Sequence, residues 1–469
     1  MRHGRHSGNR GDRHPAGGDR VHGRQPPGDR RPRSPEGSTM SWRLRYRLGE
    51  FVRSSFWLFP VLALLIAWLV GKLVLELVPT PDWPRFDEGD VEGMRVSMAA
   101  FASSMLTFMV YAVSALLLAI QLASGQITPR IIRMTFSRWE MKVAAGVFVF
   151  AFGITMVALA NTTDQIRHGG LIVLAIVGNV LAIAVFFWFV EEVGLGLRPV
   201  TVLQKVFADG KEAMDSVYQG AFDAGRAEGR GIVREPAARE GRIVERIGPS
   251  GTFLAFGSRE LMALAARAGC TIELIPQIGD FVSTGDPLAR IHPSDARLSE
   301  EALNGLVAFG PERTMRQDPM FAFRIMVDVA SRALSPAVND PTTAVLALDQ
   351  IHRLLRYAGQ KNLDNARVYD SHGTLRLVFP TPDWDDIVDL AVTEVRQYGA
   401  TSIQVVRRLR AMLEHLVDRL PPARGPALKS ELALLEQTVA RSFPEPEDRR
   451  RANKGDLQGL GGSSGRSED

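Results

Sequence analysis

Residues 171–190 read LIVLAIVGNVLAIAVFFWFV, twenty consecutive positions without one charged side chain. As a helix rising about 1.5 Å per residue, such a run covers about 30 Å, the thickness of bilayer hydrocarbon. Three further stretches have the same character: Phe56–Val78, Val96–Leu122 and Val143–Ala160. Only a helix satisfies the backbone of a single span in lipid. The fold class expected is therefore a membrane protein, an α-helical bundle of four transmembrane helices, followed by an α+β cytoplasmic domain. Lys72 and Glu76 stand four residues apart near one end of the first span, where they can pair and reach outward.

Working outward, the loops set the orientation. The flank before the first span carries Arg43, Arg45, Arg47 and Arg53, and the loop from Thr128 to Lys142 carries Arg130, Arg133 and Arg138. Positive flanks stay in the cytoplasm, so both are expected inside. The loop 79–94 is acidic through Asp82, Asp87, Glu88, Asp90 and Glu92, and it is expected outside with the short turn 161–170. Four spans return the chain to its starting side. The expectation is a multi-pass protein of the inner cell membrane with both termini cytoplasmic. Trp57, Trp83, Trp139 and Trp188 lie near the expected interfaces.

The composition bounds the rest. A chain of 469 residues with a net charge of +4 offers length for two or three structural units and no basic face for nucleic acid. The single cysteine, Cys270, cannot form an internal disulfide, and the chain has no Cys-x-x-Cys or His-x-x-x-His spacing to hold a structural metal. No metal and no cofactor is expected. Residues 1–40 are dominated by Arg, Gly, His, Pro, Asp and Ser, a basic and disordered composition, and Met40 opens a more conventional start. The apolar run after it is too long for a cleavable signal peptide.

The domain boundaries follow composition: 41–194 for the four-helix unit, 195–238 for a connector helix and linker, 239–295 for a small β-rich module. Residues 296–443 read as a mixed helical and β cytoplasmic domain, and 444–469 as a charged, disordered tail. In the module, Gly279-Asp280-Phe281-Val282 and Gly285-Asp286 give two glycine turns between apolar strands. That pattern resembles half of a biotinyl- or lipoyl-like barrel-sandwich, without the lysine of a swinging arm. Asp318-Pro319 and Asp340-Pro341 each precede an apolar helical pattern, with Asp as N-cap and Pro at the first helical position.

Two polar groupings are candidate sites. In the second span Ser104, Thr107, Tyr111, Ser114 and Gln121 share one helical face. They serve either helix packing, with Gly146 and Gly153 of the third span allowing close approach, or, together with Asn179, a polar membrane path. In the cytoplasmic part Arg313, Asp318, Arg332, Asn339 and Asp340 form a polar set that reads as helix capping and ion pairing or as a binding site. His292, His352, His372 and His415 are scattered and read as surface or capping residues.

The order of these strings resembles the bacterial predicted membrane proteins grouped as domain of unknown function family 2254, over about residues 45–420. The carriers are Ser55-Phe56-Trp57, the string from Gln121 to Arg130, Gly279-Asp280-Phe281-Val282, Glu312-Arg313-Thr314, Gln317-Asp318-Pro319 and the string from Ser335 to Ala344. The family resemblance implies this topology and no reaction, substrate or cofactor. Three functions compete: a non-enzymatic, homo-oligomeric channel or transport-related protein with a regulatory cytoplasmic domain, a membrane-tethered enzyme with its site at the Asn339-Asp340 turn, or a signalling scaffold. No phosphate loop or His-Glu-x-x-His pair supports the enzyme. The partners expected are the lipid bilayer and further copies of the chain, with no nucleic acid and with any protein partner unspecified.

Overall fold

The computed structural model describes Trp42, Tyr46, residues 48–49, 51–52, 55–77, 90–126, 139–162, 169–196, 198–218, Phe222, 241–364 and 366–460. The N-terminal 1–40 stretch, residues 78–89 with Trp83, residues 127–138, most of the 219–240 linker and the end of the tail lie outside the described residues, whereas Asp90 and Glu92 of the expected acidic loop belong to a helix.

Four helices are long and apolar enough to cross a membrane: α1 (Leu58–Leu77), α2 (Asp90–Gln126), α3 (Trp139–Asn161) and α4 (Gly169–Gly196). Most of their large apolar side chains remain exposed, Leu65 and Phe187 among them, as a lipid-facing surface requires. Helix α3 is central and packs against the other three. Its small residues face α1 rather than α2: Gly146 lies beside Ala63, and Gly153 beside Ala67 and Leu64. The expected role of these glycines toward the second span is corrected accordingly. The α3–α4 seam holds Ala151, Ile154 and Ala175, with Asn179 buried among them.

After α4, Arg198 caps α5 (Pro199–Val217), whose first position is proline. Reading 195–238 as a connector suggests a helix standing apart. Instead, Val202, Leu203, Val206 and Met214 are buried in the same core as α8 (Pro319–Ala333) and α9 (Pro341–Gly359). The amphipathic stripe that marks α5 fills the helical half of the C-terminal domain. That half is completed by α10 (Trp384–Tyr398), α11 (Ile403–Arg419), α12 (Gly425–Ser442) and α13 (Pro446–Ala452).

The β-rich half contains β1 (Arg242–Glu245), β2 (Gly251–Phe256), α6 (Ser258–Ala268), β3 (Thr271–Leu274), β4 (Phe281–Val282), β5 (Pro287–His292), α7 (Glu300–Asn304), β6 (Val307–Gly310), β7 (Arg367–Tyr369) and β8 (Leu375–Val378). One sheet runs β1-β5-β3-β8-β7 and a second runs β4-β2-β6. Strands β3 and β5 pair antiparallel, Glu273 opposite Arg290, across the two glycine turns. The β4 strand between them leaves for the other sheet, and β3 pairs in parallel with β8 through Ile272 and Leu377. A self-contained barrel-sandwich over 239–295 is therefore not what forms. Strands drawn from 307–310 and 367–378 complete the two sheets.

The tail also differs from expectation. Ala452 is fully buried, the Arg407 side chain donates to the Lys454 carbonyl at 3.0 Å, and the Asp456 amide donates to the Arg407 carbonyl at 3.1 Å. Its contacts with α11 run through Asn453 and through the backbone at Lys454 and Asp456.

Gly210 of α5 tests this packing. A Cβ there would lie 2.5 Å from the Ala322 Cβ and 3.2 Å from Leu354 Cδ2. Gly210→Val is expected to cost about 1–3 kcal/mol through overpacking, read as a lowered thermal midpoint of the detergent-purified protein. An unchanged midpoint would show α5 to be free of this core.

Candidate functional site

The residues 312–318 between β6 and α8 are where four parts of the chain meet. Asp318 is the N-cap of α8: its Oδ1 accepts from the Phe321 amide at 3.1 Å. Its Oδ2 accepts from Arg313 Nε at 2.8 Å and Nη2 at 2.7 Å. The Asp318 side chain is only 3% exposed. Burial pushes its carboxyl above the usual carboxylate range, and Arg313, with the amides of the helix start, opposes that rise without cancelling it.

Arg313 reaches the β-rich half as well. Its guanidinium lies over Gly279, a residue with φ +100, where any Cβ would sit 2.2 Å from Nη2. Glycine is required there both for the backbone conformation and for the approach. Gln317 makes the second link. Its side-chain amide accepts from the Phe256 N–H at 3.1 Å and donates to the Phe256 carbonyl at 3.4 Å, as a further strand on β2 would.

Arg316 points the other way. Its guanidinium lies 4.8 Å from the centroid of Tyr46, in the helical segment just before α1. Its carbonyl accepts from Ser216 Oγ of α5 at 3.4 Å. One short segment thus touches the flank of the first span, the helix that follows the fourth, the β sheet and the helical core.

Beside it is a cleft of about 250 Å³, lined by apolar Ile278, Met320 and Leu390 and by polar Gln277, Asp280, Arg313 and Arg324. Arg324 is bidentate to Glu394 at 2.5 and 2.7 Å and donates to Asp328 at 2.6 Å. Those carboxylates hold its guanidinium firmly charged, and it in turn holds Glu394 below the ordinary range. Both cations of the cleft already have carboxylate partners. The arrangement joins surfaces of the β-rich and helical halves.

The polar set expected around Arg313, Asp318, Arg332, Asn339 and Asp340 is divided between opposite ends of α8. A helix of 15 residues separates the two groups by about 22 Å. At the far end Asn339 adopts a left-handed φ of 48 and is exposed, with Arg332 also exposed. Asp340 caps α9, its Oδ1 accepting from the Thr343 amide at 3.1 Å and its Oδ2 from Thr343 Oγ1 at 2.5 Å. The cap explains this aspartate.

The membrane set divides too. Ser104, Thr107, Tyr111, Ser114 and Gln121 are all exposed, opposite the face of α2 buried by Met98, Ala102, Met105, Ala112 and Leu116. Thr107 Oγ1 donates back to the Ser103 carbonyl at 2.9 Å. Asn179 is instead buried in the α3–α4 seam, its Nδ2 donating to Thr155 Oγ1 and to the Ala175 carbonyl, each at 2.8 Å. It does not join the α2 stripe.

Two histidines read as scattered are adjacent. His352 Nε2 and His415 Nδ1 are 2.9 Å apart, and Arg408 Nη2 lies 3.1 Å from His352 Nδ1. Because the arginine can only donate, His352 carries its proton on Nε2 and donates it to His415. Burial and then Arg408 push His352 down to about 3, so the pair is neutral at physiological pH and its facing lone pairs are occupied.

The strings that meet at this junction can be compared with known proteins. A family model described as predicted membrane protein, DUF2254, matches residues 53–415. The chain belongs to this family. Relatives in the family include uncharacterized proteins of Mycobacterium tuberculosis and Mycobacterium bovis, each 25% identical over 421 residues, covering 85% of this chain and 79% of the relative. No solved structure matches. Within this DUF2254 chain, three of the strings that carry the family resemblance, at 279–282, 312–314 and 317–319, converge on the junction. Sequence reasoning missed Trp42, Tyr46 and Arg316; the available signal was the helical spacing of Trp42, Tyr46 and Gly49 just before a span.

Arg313→Ala is expected to destabilise the protein by about 2–3 kcal/mol, because it leaves a buried carboxylate without its cation. The loss also removes an influence that lowers the Asp318 carboxyl, which then rises further. With a folded value above the unfolded one, the folded chain binds more protons between the two, so stability falls as pH rises through that window. The deficit in thermal midpoint should therefore be smaller at about pH 5 than at about pH 8. A deficit independent of pH would contradict the role given to the pair.

Proposed function

We propose that this DUF2254 protein is a self-associating membrane protein in which α2 supplies the contact between copies and a polar path, and the C-terminal domain regulates the four-helix unit through the 312–318 junction. The observation that carries this reading is the outward placement of Ser104, Thr107, Tyr111, Ser114 and Gln121. Polar side chains in a span favour protein or water over lipid. Back-bonding to the helix, as at Thr107, satisfies a hydroxyl proton but does not remove the cost of a whole polar face in hydrocarbon. A second copy presenting the same face supplies partners by symmetry.

The orientation follows from charge. Arginines before the first span and in the 128–142 loop favour the cytoplasm of an inner membrane for both, and hence for the C-terminal domain. Lys142 Nζ donates to the Val52 carbonyl at 3.0 Å, which supports placing these two segments on one side. Contacts of Tyr46 with Leu254 and Ala308 support the same side for the C-terminal domain. The turn at Asn339-Asp340 has its carboxylate oxygens engaged by Thr343, and no enzymatic reading is drawn from it.

Thr107→Cys and Ser114→Cys are expected to give oxidant-induced dimers in native membranes, whereas Ala112→Cys, on the face buried within the bundle, should not. The native Cys270 is buried and contributes no background. Absence of dimers at both exposed positions would refute self-association through α2. Flux into liposomes then tests the path: Thr107→Leu with Ser114→Leu should abolish a flux that the unaltered protein supports, and no flux from either would remove the path.

A further inference from the structure

The helical segment before α1 has two faces. Trp42, Tyr46 and Gly49 recur at the spacing of one helical face. They meet the C-terminal domain: Tyr46 is 8% exposed, packed among Leu254, Ala255 and Ala308, and the Trp42 ring stacks on it at 5.6 Å. Leu48, Phe51 and Val52 fall on the opposite side and are 60%, 46% and 40% exposed.

Three contacts set the height of that apolar face. The Phe51 ring meets Trp57, beside the start of α1, edge-on at 6.1 Å. Lys142 Nζ, in the first turn of α3, bonds the Val52 carbonyl and lies 5.3 Å from the centroid of Phe59. Trp139, at the start of α3, sits 6.2 Å from Trp188 near the end of α4. Indoles at span ends occupy the headgroup layer. Leu48, Phe51 and Val52 are thus continuous with the lipid-facing surface of the spans and level with its aromatic belt.

We propose that Leu48, Phe51 and Val52 insert into the headgroup layer of an anionic bilayer, while Trp42 and Tyr46 hold the C-terminal domain against the membrane. An amphipathic helix lying in the interface buries its apolar side at the acyl boundary. The charge selects the lipid: the sequence carries Arg43, Arg45, Arg47 and Arg53 against the single acid Glu50, and a basic juxtamembrane segment is attracted to anionic headgroups. The inference is independent of self-association through α2, since it concerns the opposite flank of the bundle's first span. It also gives the junction a physical role. Arg316, resting on Tyr46, becomes the point where the domain touches a helix that the lipid holds in place.

The test uses the full chain carrying Leu48→Cys, labelled with an environment-sensitive fluorophore and placed in nanodiscs, with Cys270 buried and unlabelled. In discs containing phosphatidylglycerol, lipid bearing a nitroxide near its headgroup should quench the label several-fold more than aqueous iodide does. In discs of phosphatidylcholine alone, the lipid quenching should fall at least about two-fold. Stronger quenching by iodide in both discs would overturn the insertion. Equal lipid quenching in both would overturn the anionic surface. The same label at Phe51→Cys provides a second reading of the same face.

Discussion

A helix that crosses lipid satisfies its own backbone and has apolar walls, so it acts on the rest of its chain chiefly through its ends. In this protein the two ends of the four-helix unit are held by one C-terminal domain. The flank of α1 rests on the β2–β6 sheet through Trp42 and Tyr46, and α4 is followed in the chain by α5, whose apolar stripe is buried in the helical core. The segment 312–318 ties these two attachments together. It contacts Tyr46 and Ser216 through Arg316, the β sheet through Gln317, and Gly279 through Arg313.

The ion pair at the centre of that segment is a balance of opposing effects. Asp318 loses hydration on burial, which raises its carboxyl, and gains two bonds from Arg313 and one from the start of α8. Such a pair adds little net stability relative to an apolar replacement, but it is costly to break from one side. It also demands geometry. Arg313 crosses Gly279 to reach the carboxylate, so the pair links the β-rich half to the start of α8. Specificity of domain placement, rather than raw stability, is what this arrangement contributes.

Much of the fold was legible where local chemistry decides structure. The four apolar runs mark the four long helices, with the second starting earlier, at Asp90, and the fourth ending later, at Gly196, and Asp-Pro at 318–319 and 340–341 marks the starts of α8 and α9, where both aspartates cap. The end of α6 is likewise local, stopped by Gly269 in the left-handed conformation. What stayed hidden depends on distant partners. The run at 307–310 is too short to be told from buried helix by periodicity, and the parallel pairing of β3 with β8 leaves no local trace. The charged tail looked solvated because Arg407 and Arg410, which bind it, lie on another helix. The polar set from Arg313 to Asp340 looked like one site because only the fold shows that α8 separates its two ends. The stripe on α2 was legible as a stripe, whereas its outward direction depends on which side of α2 the other helices occupy.

Burial of α5 in the C-terminal core is the feature that makes the spans and the domain one mechanical unit. Hydrogen exchange on the full chain in nanodiscs measures it directly. The amides of Leu203 to Met214 should be protected to the same extent as those of α8 and α9 and should become exchangeable together with them in denaturant. Rapid exchange of α5 while α8 and α9 stay protected would show it to be a loose connector, and the domain could not then act on the fourth span in the manner described.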